Sequence, residues 1–160
     1  MDADLTRLDS TALSMEELSQ LLSAIPAGRL LVLLDCCHAG GAAAAKAGAA
    51  APPGLQPGLS EEQLGMLVTG QGRVVIASCR ADEQSYVKAG DRNSMFTRFL
   101  LQALRGEGPM LGDGLVRAFD LFRHVSTHVP PYAAALNLQQ HPLFKGEAMD
   151  TDFAVAACPP

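Results

Sequence analysis

Leu30-Leu31-Val32-Leu33-Leu34 is an unbroken apolar run, and Val74-Val75-Ile76-Ala77 is a second. Short apolar runs bounded by turn residues predict strands buried on both faces, as in a parallel sheet. The predicted strands span 30–35 and 73–79. Elsewhere the apolar positions recur with the period of a helix. Leu18, Leu21, Leu22 and Ile25 share one face, and Ser14-Met15-Glu16-Glu17 is a capping box, so a helix is predicted over 15–25. Ser60-Glu61-Glu62-Gln63 opens another, with Leu64, Leu67 and Val68 on its inner side. Phe96, Phe99, Leu100, Ala103 and Leu104 mark a third, stopped by Gly106. Leu115, Ala118, Phe119, Phe122, Val125 and Val129 mark a fourth, stopped by Pro130-Pro131. Past about Glu147 nothing is periodic, which predicts a loose tail over 146–160.

Strand, helix and strand in succession make a crossover unit, parallel and right-handed in nearly all cases. Such a unit sets the carboxyl ends of both strands on one sheet edge, where α/β proteins bind ligands. The first strand runs into Asp35-Cys36-Cys37-His38-Ala39-Gly40-Gly41. An acid, two thiols and an imidazole ahead of two glycines, which let the backbone turn sharply, is where a nucleophile is expected. The second strand runs into the polar cluster Asp82, Glu83, Gln84 and Ser85, of which Asp82, Gln84 and Ser85 are candidates to line a substrate groove.

Residues 41–59 break the pattern. Alanine, glycine and proline dominate there with a single charge, Lys46, and a mobile linker is predicted. The first residues, 1–12, read as a leader. Composition then excludes several function classes. The net charge is −5 with no Lys/Arg cluster, and only 5% of residues are aromatic, so neither a basic face nor a stacking platform for nucleic acid is expected. No apolar run approaches the ~20 residues of a membrane helix, and no basic start marks a secretory signal. Four cysteines, two of them adjacent, are not a disulfide framework, and a cytoplasmic, reducing setting is expected.

Asp35-Cys36-Cys37-His38-Ala39-Gly40 resembles the D-x-C-H-[SA]-G motif of metacaspases and bacterial caspase-like peptidases. Three later segments resemble that family in order: Ala77 to Tyr86, Ser94-Met95-Phe96-Thr97 with Leu100, Leu101 and Leu104, and Gln140-His141-Pro142. The resemblance runs from about Leu13 to Phe144. It implies a caspase-like three-layer α/β/α fold with a mostly parallel central sheet, and a cysteine endopeptidase over 13–145. It also implies that Cys37 is the nucleophile and that Asp35 lines the pocket for the residue before the cut. An anionic pocket implies cleavage after Arg or Lys.

The family's general base is a histidine roughly 50 residues before the cysteine. The four histidines here are His38, His124, His128 and His141, none of which precedes Cys37. The chain therefore reads as the rear part of such a domain, with the front part missing. It is expected to be nearly inactive alone unless another chain or segment supplies the imidazole. His38 is no substitute, because neighbouring side chains leave an extended segment on opposite sides. No cofactor and no metal is expected: Cys36, Cys37, His38 and Cys79 lack the paired spacing of a zinc site, and His124 and His128 lack the HExxH glutamate. Two alternatives remain open, a non-catalytic caspase-like module that docks on or regulates a homologue, and a redox sensor using Cys36-Cys37.

Overall fold

The structure is a computed structural model and describes residues 13–35, 59–108, 111–147 and 152–158. In chain order the elements are α1 (Met15–Ser23), β1 (Leu30–Leu34), α2 (Glu61–Leu67), β2 (Arg73–Ala77), α3 (Met95–Leu104), β3 (Leu115–Arg117), α4 (Ala118–Ala134), β4 (Leu143–Glu147) and β5 (Ala154–Ala157). Both predicted capping boxes form. Ser14 and Ser60 each accept the third helical N–H, while Glu17 and Gln63 reach back to the cap N–H. Ser94 caps α3 through its side chain, its hydroxyl accepting from the Thr97 N–H at 2.9 Å.

β1 and β2 pair in parallel, with Leu30 opposite Arg73 and Leu34 opposite Ala77. The expected sheet, however, is corrected. β4 joins the far side of β2 antiparallel, Ala77 facing Leu143, to give a three-stranded sheet in the order β1-β2-β4. β3 and β5 form a separate antiparallel pair. The fold is α/β with two small sheets in which antiparallel pairing predominates, not one mostly parallel central sheet. The connection between α4 and β4 is short, which returns the chain along β2 in the opposite sense.

β2 is the centre of the molecule. All five of its residues are buried, and alternate side chains serve different helices, as the two-residue period of a strand requires. Val74 and Ile76 pack with Phe96, Phe99, Leu121 and Val125 of α3 and α4. Val75 and Ala77 pack with Leu64 and Leu67 of α2, against which Leu18 and Leu22 of α1 also lie. Full burial of a Val or Ile side chain contributes roughly 1.5–3 kcal/mol, so this strand carries a large share of the fold. β1 was expected to be buried on both faces. It is the outer strand instead, half-buried among the described residues, with Leu33 exposed.

Two further expectations are corrected. α4 does not stop at Pro130-Pro131 but continues to Ala134. A proline removes an i to i−4 bond, and packing offsets the loss: Val129 and Ala133 are fully buried, and Tyr132 lies edge-on to Phe99 and accepts from Arg98. Ala154–Ala157, in a stretch with no periodicity, is strand β5, held by main-chain pairing to β3 and by a Cys158 N–H bond to the Gly114 carbonyl.

His124 and His128 stack 4.2 Å apart on α4, one turn from each other and against Phe99. His124 is buried, and its Nδ1 has no hydrogen-bond partner among the described residues. Burial, and then the neighbouring His128, push its pKa below the ordinary 6.5, Glu107 opposing them. The unfolded chain thus binds this proton more readily than the folded one. Stability from this site is complete above about pH 6.5 and is lost as pH falls below it, until the folded imidazole itself protonates. A urea midpoint lower at about pH 5.5 than at about pH 7.5 is expected, with a smaller difference in His124→Gln. Equal differences in the two proteins would remove His124 as the source.

Candidate active site

Asp35 ends β1, and three hydroxyls converge on its carboxylate. Ser85 donates to Oδ1 at 2.7 Å, Thr97 donates to Oδ2 at 2.6 Å, and Ser94 donates to Oδ2 as well. These donors come from the loop after β2 and from the first turn of α3. The parallel pairing of β1 and β2 makes the meeting possible, since it sets Asp35 and the post-β2 loop on one edge. Asp35 remains exposed. It is an anchored but accessible anion.

A buried amide fixes the loop from below. Gln140 is completely buried. Its Nε2 donates to the Ser78 carbonyl at 3.0 Å and to Ser85 Oγ at 3.2 Å, and its Oε1 accepts the Tyr86 N–H at 3.1 Å. The Tyr86 carbonyl in turn accepts the Met95 N–H, tying the loop to the start of α3. Two hydrogen bonds therefore separate the Asp35 carboxylate from a residue just ahead of β4.

Glu83 is the second fastening. Its buried carboxylate accepts the Arg80 N–H at 3.3 Å and the His141 N–H at 2.6 Å, and it also contacts His141 Nδ1. Cys79 is buried beneath the same loop, its thiol directed at the Glu83 carbonyl at 3.7 Å.

The residues singled out in the sequence divide accordingly. Asp82 and Gln84 line an open groove of about 310 Å³, with Glu83 and Tyr86 beside them and residues 137–139 opposite. Ser85 is buried and bonds to Asp35 and Gln140 rather than facing that groove. Cys37 lies outside the described residues, as do Cys36, His38 and linker positions 41–58. Ser94, Thr97, Gln140 and the Glu83–His141 pair were not anticipated as site residues. Their segments carry the family resemblance, but nothing local in the sequence says that Ser94 and Thr97 turn their hydroxyls to Asp35 or that Gln140 is buried beneath the loop. Another groove of about 430 Å³, bordered by Leu111, Phe119 and Phe122, lies on α4 away from these residues.

A model of the caspase domain matches residues 1–154. The chain belongs to the caspase domain family. The match includes residues 1–12, set apart above as a leader, and runs past the last resembling motif. Reading the chain as only a C-terminal part with the front missing is therefore corrected: the caspase-domain likeness extends along nearly the whole sequence. No curated protein and no solved structure matches it. Among the described residues no group of three or more His, Cys, Asp or Glu is placed to hold a metal ion. No helix among them is long and apolar enough to cross a membrane.

Proposed function

We propose that this caspase-domain chain is a cysteine endopeptidase of the metacaspase type, cutting peptide bonds after a basic residue. One observation carries the reading: an exposed carboxylate, Asp35, two residues before Cys37 and anchored by three hydroxyls. Such a carboxylate binds the cationic side chain of the residue before the cut, and it leaves a neutral or acidic side chain without a partner. Asp82 and Gln84 extend the contact along the peptide. Cys37 Sγ then attacks the scissile carbonyl carbon, and its proton passes to an imidazole. The C–N bond breaks as that proton moves to the departing amine. Water hydrolyses the thioester and releases the acid with the free thiol. The thiol must stay reduced for this chemistry, which favours a cytoplasmic setting.

In this reading the imidazole is brought to Cys37 by another chain or segment, as the family's base is a histidine ahead of the cysteine and the four histidines here are His38, His124, His128 and His141. A free thiol is only a few per cent ionised at neutral pH, and a positioned base contributes roughly 10²–10⁴-fold. The purified chain is therefore expected to turn over slowly. The same absence supports a second reading, a caspase-like module that docks on or regulates an active homologue without cutting.

A peptidyl acyloxymethyl ketone separates the readings, because it alkylates a pocket-bound thiol without needing turnover. For a peptidase, a probe ending in a basic residue is expected to label Cys37 alone, as located by peptide mass mapping, and Cys37→Ala is expected to remain unlabelled. A chain that binds a homologue yet resists every probe would be the docking module.

A further inference from the structure

The hydrogen bonds around Asp35 also bear on which basic residue it accepts. We infer that the pocket selects lysine over arginine, with Thr97 and Ser94 as the residues that set the preference. This rests on the reading of Asp35 as the pocket for the residue before the cut.

A carboxylate offers about four lone-pair positions over its two oxygens. Oδ2 receives both Ser94 and Thr97, which fills it, while Oδ1 receives only Ser85 among the described residues. Among the described residues, one position on Oδ1 stays open. The parallel fork of an arginine needs a free position on each oxygen, and that second position is taken. An arginine is thus limited to one end-on bond and loses the geometry that normally favours it. A lysine ammonium is a compact point charge with three rotatable donors. It needs a single carboxylate position and directs its other donors to hydroxyl oxygens. Thr97 Oγ1 accepts no hydrogen bond among the described residues while donating to Asp35, so it offers such an oxygen beside the charge.

The arrangement is not a loose surface accident. Ser94 is buried and caps α3 through Thr97 N, so its hydroxyl is fixed by the helix start. Ser85 is fixed by Gln140. Only Thr97 combines a donor to Oδ2 with a backbone role that does not use its side chain, which makes it the cleanest place to intervene. Valine matches its shape and withdraws the donor.

The test uses three acyloxymethyl ketone probes that share one peptide and end in lysine, arginine or norleucine. Their second-order rates of Cys37 labelling are compared on the full chain. The lysine probe is expected to react about tenfold faster than the arginine probe, the worth of one charge-assisted hydrogen bond. In Thr97→Val the Oδ2 position opens, and the lysine-to-arginine ratio is expected to fall to about one or below. Thr97→Ser, which restores the hydroxyl, is expected to return the preference. An arginine rate equal to or above the lysine rate in the unaltered chain overturns the inference, as does a ratio that Thr97→Val leaves unchanged. In both cases basic probes still outpace norleucine, and the anionic pocket stands. If norleucine reacts as fast as lysine, the pocket reading itself fails and the inference with it.

Discussion

Asp35→Ala is expected to cost the lysine-terminated probe about 100-fold in labelling rate relative to the norleucine probe, collapsing the discrimination between them. Two contributions add up here. The cation loses its counter-charge, and a charge-assisted hydrogen bond is worth about 1.5–3 kcal/mol. The three hydroxyls also lose the acceptor that holds them in one orientation, so the pocket wall is no longer preorganised. Asp35→Asn divides these contributions. It keeps the shape and one acceptor oxygen but removes the charge, so most of the loss is expected to appear there as well. Circular dichroism and the urea midpoint serve as controls. The carboxylate is exposed and water replaces part of what is lost, so a destabilisation of only about 1–2 kcal/mol is expected. If Asp35→Ala labelled with an unchanged lysine-to-norleucine ratio, the carboxylate would be a loop fastener and nothing more.

That alternative has weight because the same three hydrogen bonds serve both roles. A carboxylate that only capped the following loop would accept from main-chain N–H groups close by in sequence. Among the described residues, Asp35 draws its donors from side chains 50 to 62 positions away. Ser85 and Thr97 belong to separate elements that the parallel β1–β2 pair brings to one edge. A local cap needs no such convergence, whereas a preorganised anion does.

How much of this was legible in the sequence follows from which signals are local. The capping boxes at Ser14 and Ser60 and the apolar runs of β1 and β2 are written within a few residues, and they form where read, though β1 lies at the sheet's edge rather than buried on both faces. The crossover between the two strands gave the neighbourhood of Asp35 and Ser85 before any side chain was placed. The sheet as a whole was not legible. β4 reads Leu-Phe-Lys-Gly-Glu, with a charge at either side of a glycine, and β5 is mostly alanine. Neither has the β-branched density that announces a strand, so antiparallel pairing was invisible and a parallel sheet was overstated. Pro130-Pro131 misled for the opposite reason. Their local signal is strong, but α4 is held by its buried face against α3. Glu83 and Gln140 stand in segments that the sequence singles out, but their burial was not legible, because a polar residue's burial depends on partners far along the chain.

Gln140→Ala is expected to lower stability by about 3–5 kcal/mol, the larger of the effects on the fold. The side chain is completely buried and joins three segments at once. Truncation leaves the Tyr86 N–H and the Ser78 carbonyl without their partners, each costing about 1–3 kcal/mol when buried. A cavity the size of the lost amide and methylenes is added to this. Gln140→Leu separates the two causes, since it refills most of the volume while leaving both polar groups unpaired, and it is expected to recover only the smaller share. Gln140→Glu keeps an acceptor for Tyr86 but turns an acceptor oxygen toward the Ser78 carbonyl, which repels it. The check is equilibrium urea unfolding with unchanged slope and a lower midpoint. The consequence reaches the pocket, because Gln140 holds the Ser85 hydroxyl that orients Asp35 Oδ1. A Gln140→Leu protein that still folds should therefore lose lysine selectivity below the denaturation range, though no atom of residue 140 meets the Asp35 carboxylate. A change below about 1 kcal/mol in Gln140→Ala would mean that water replaces the amide, and that the loop is secured by Glu83 and His141 instead.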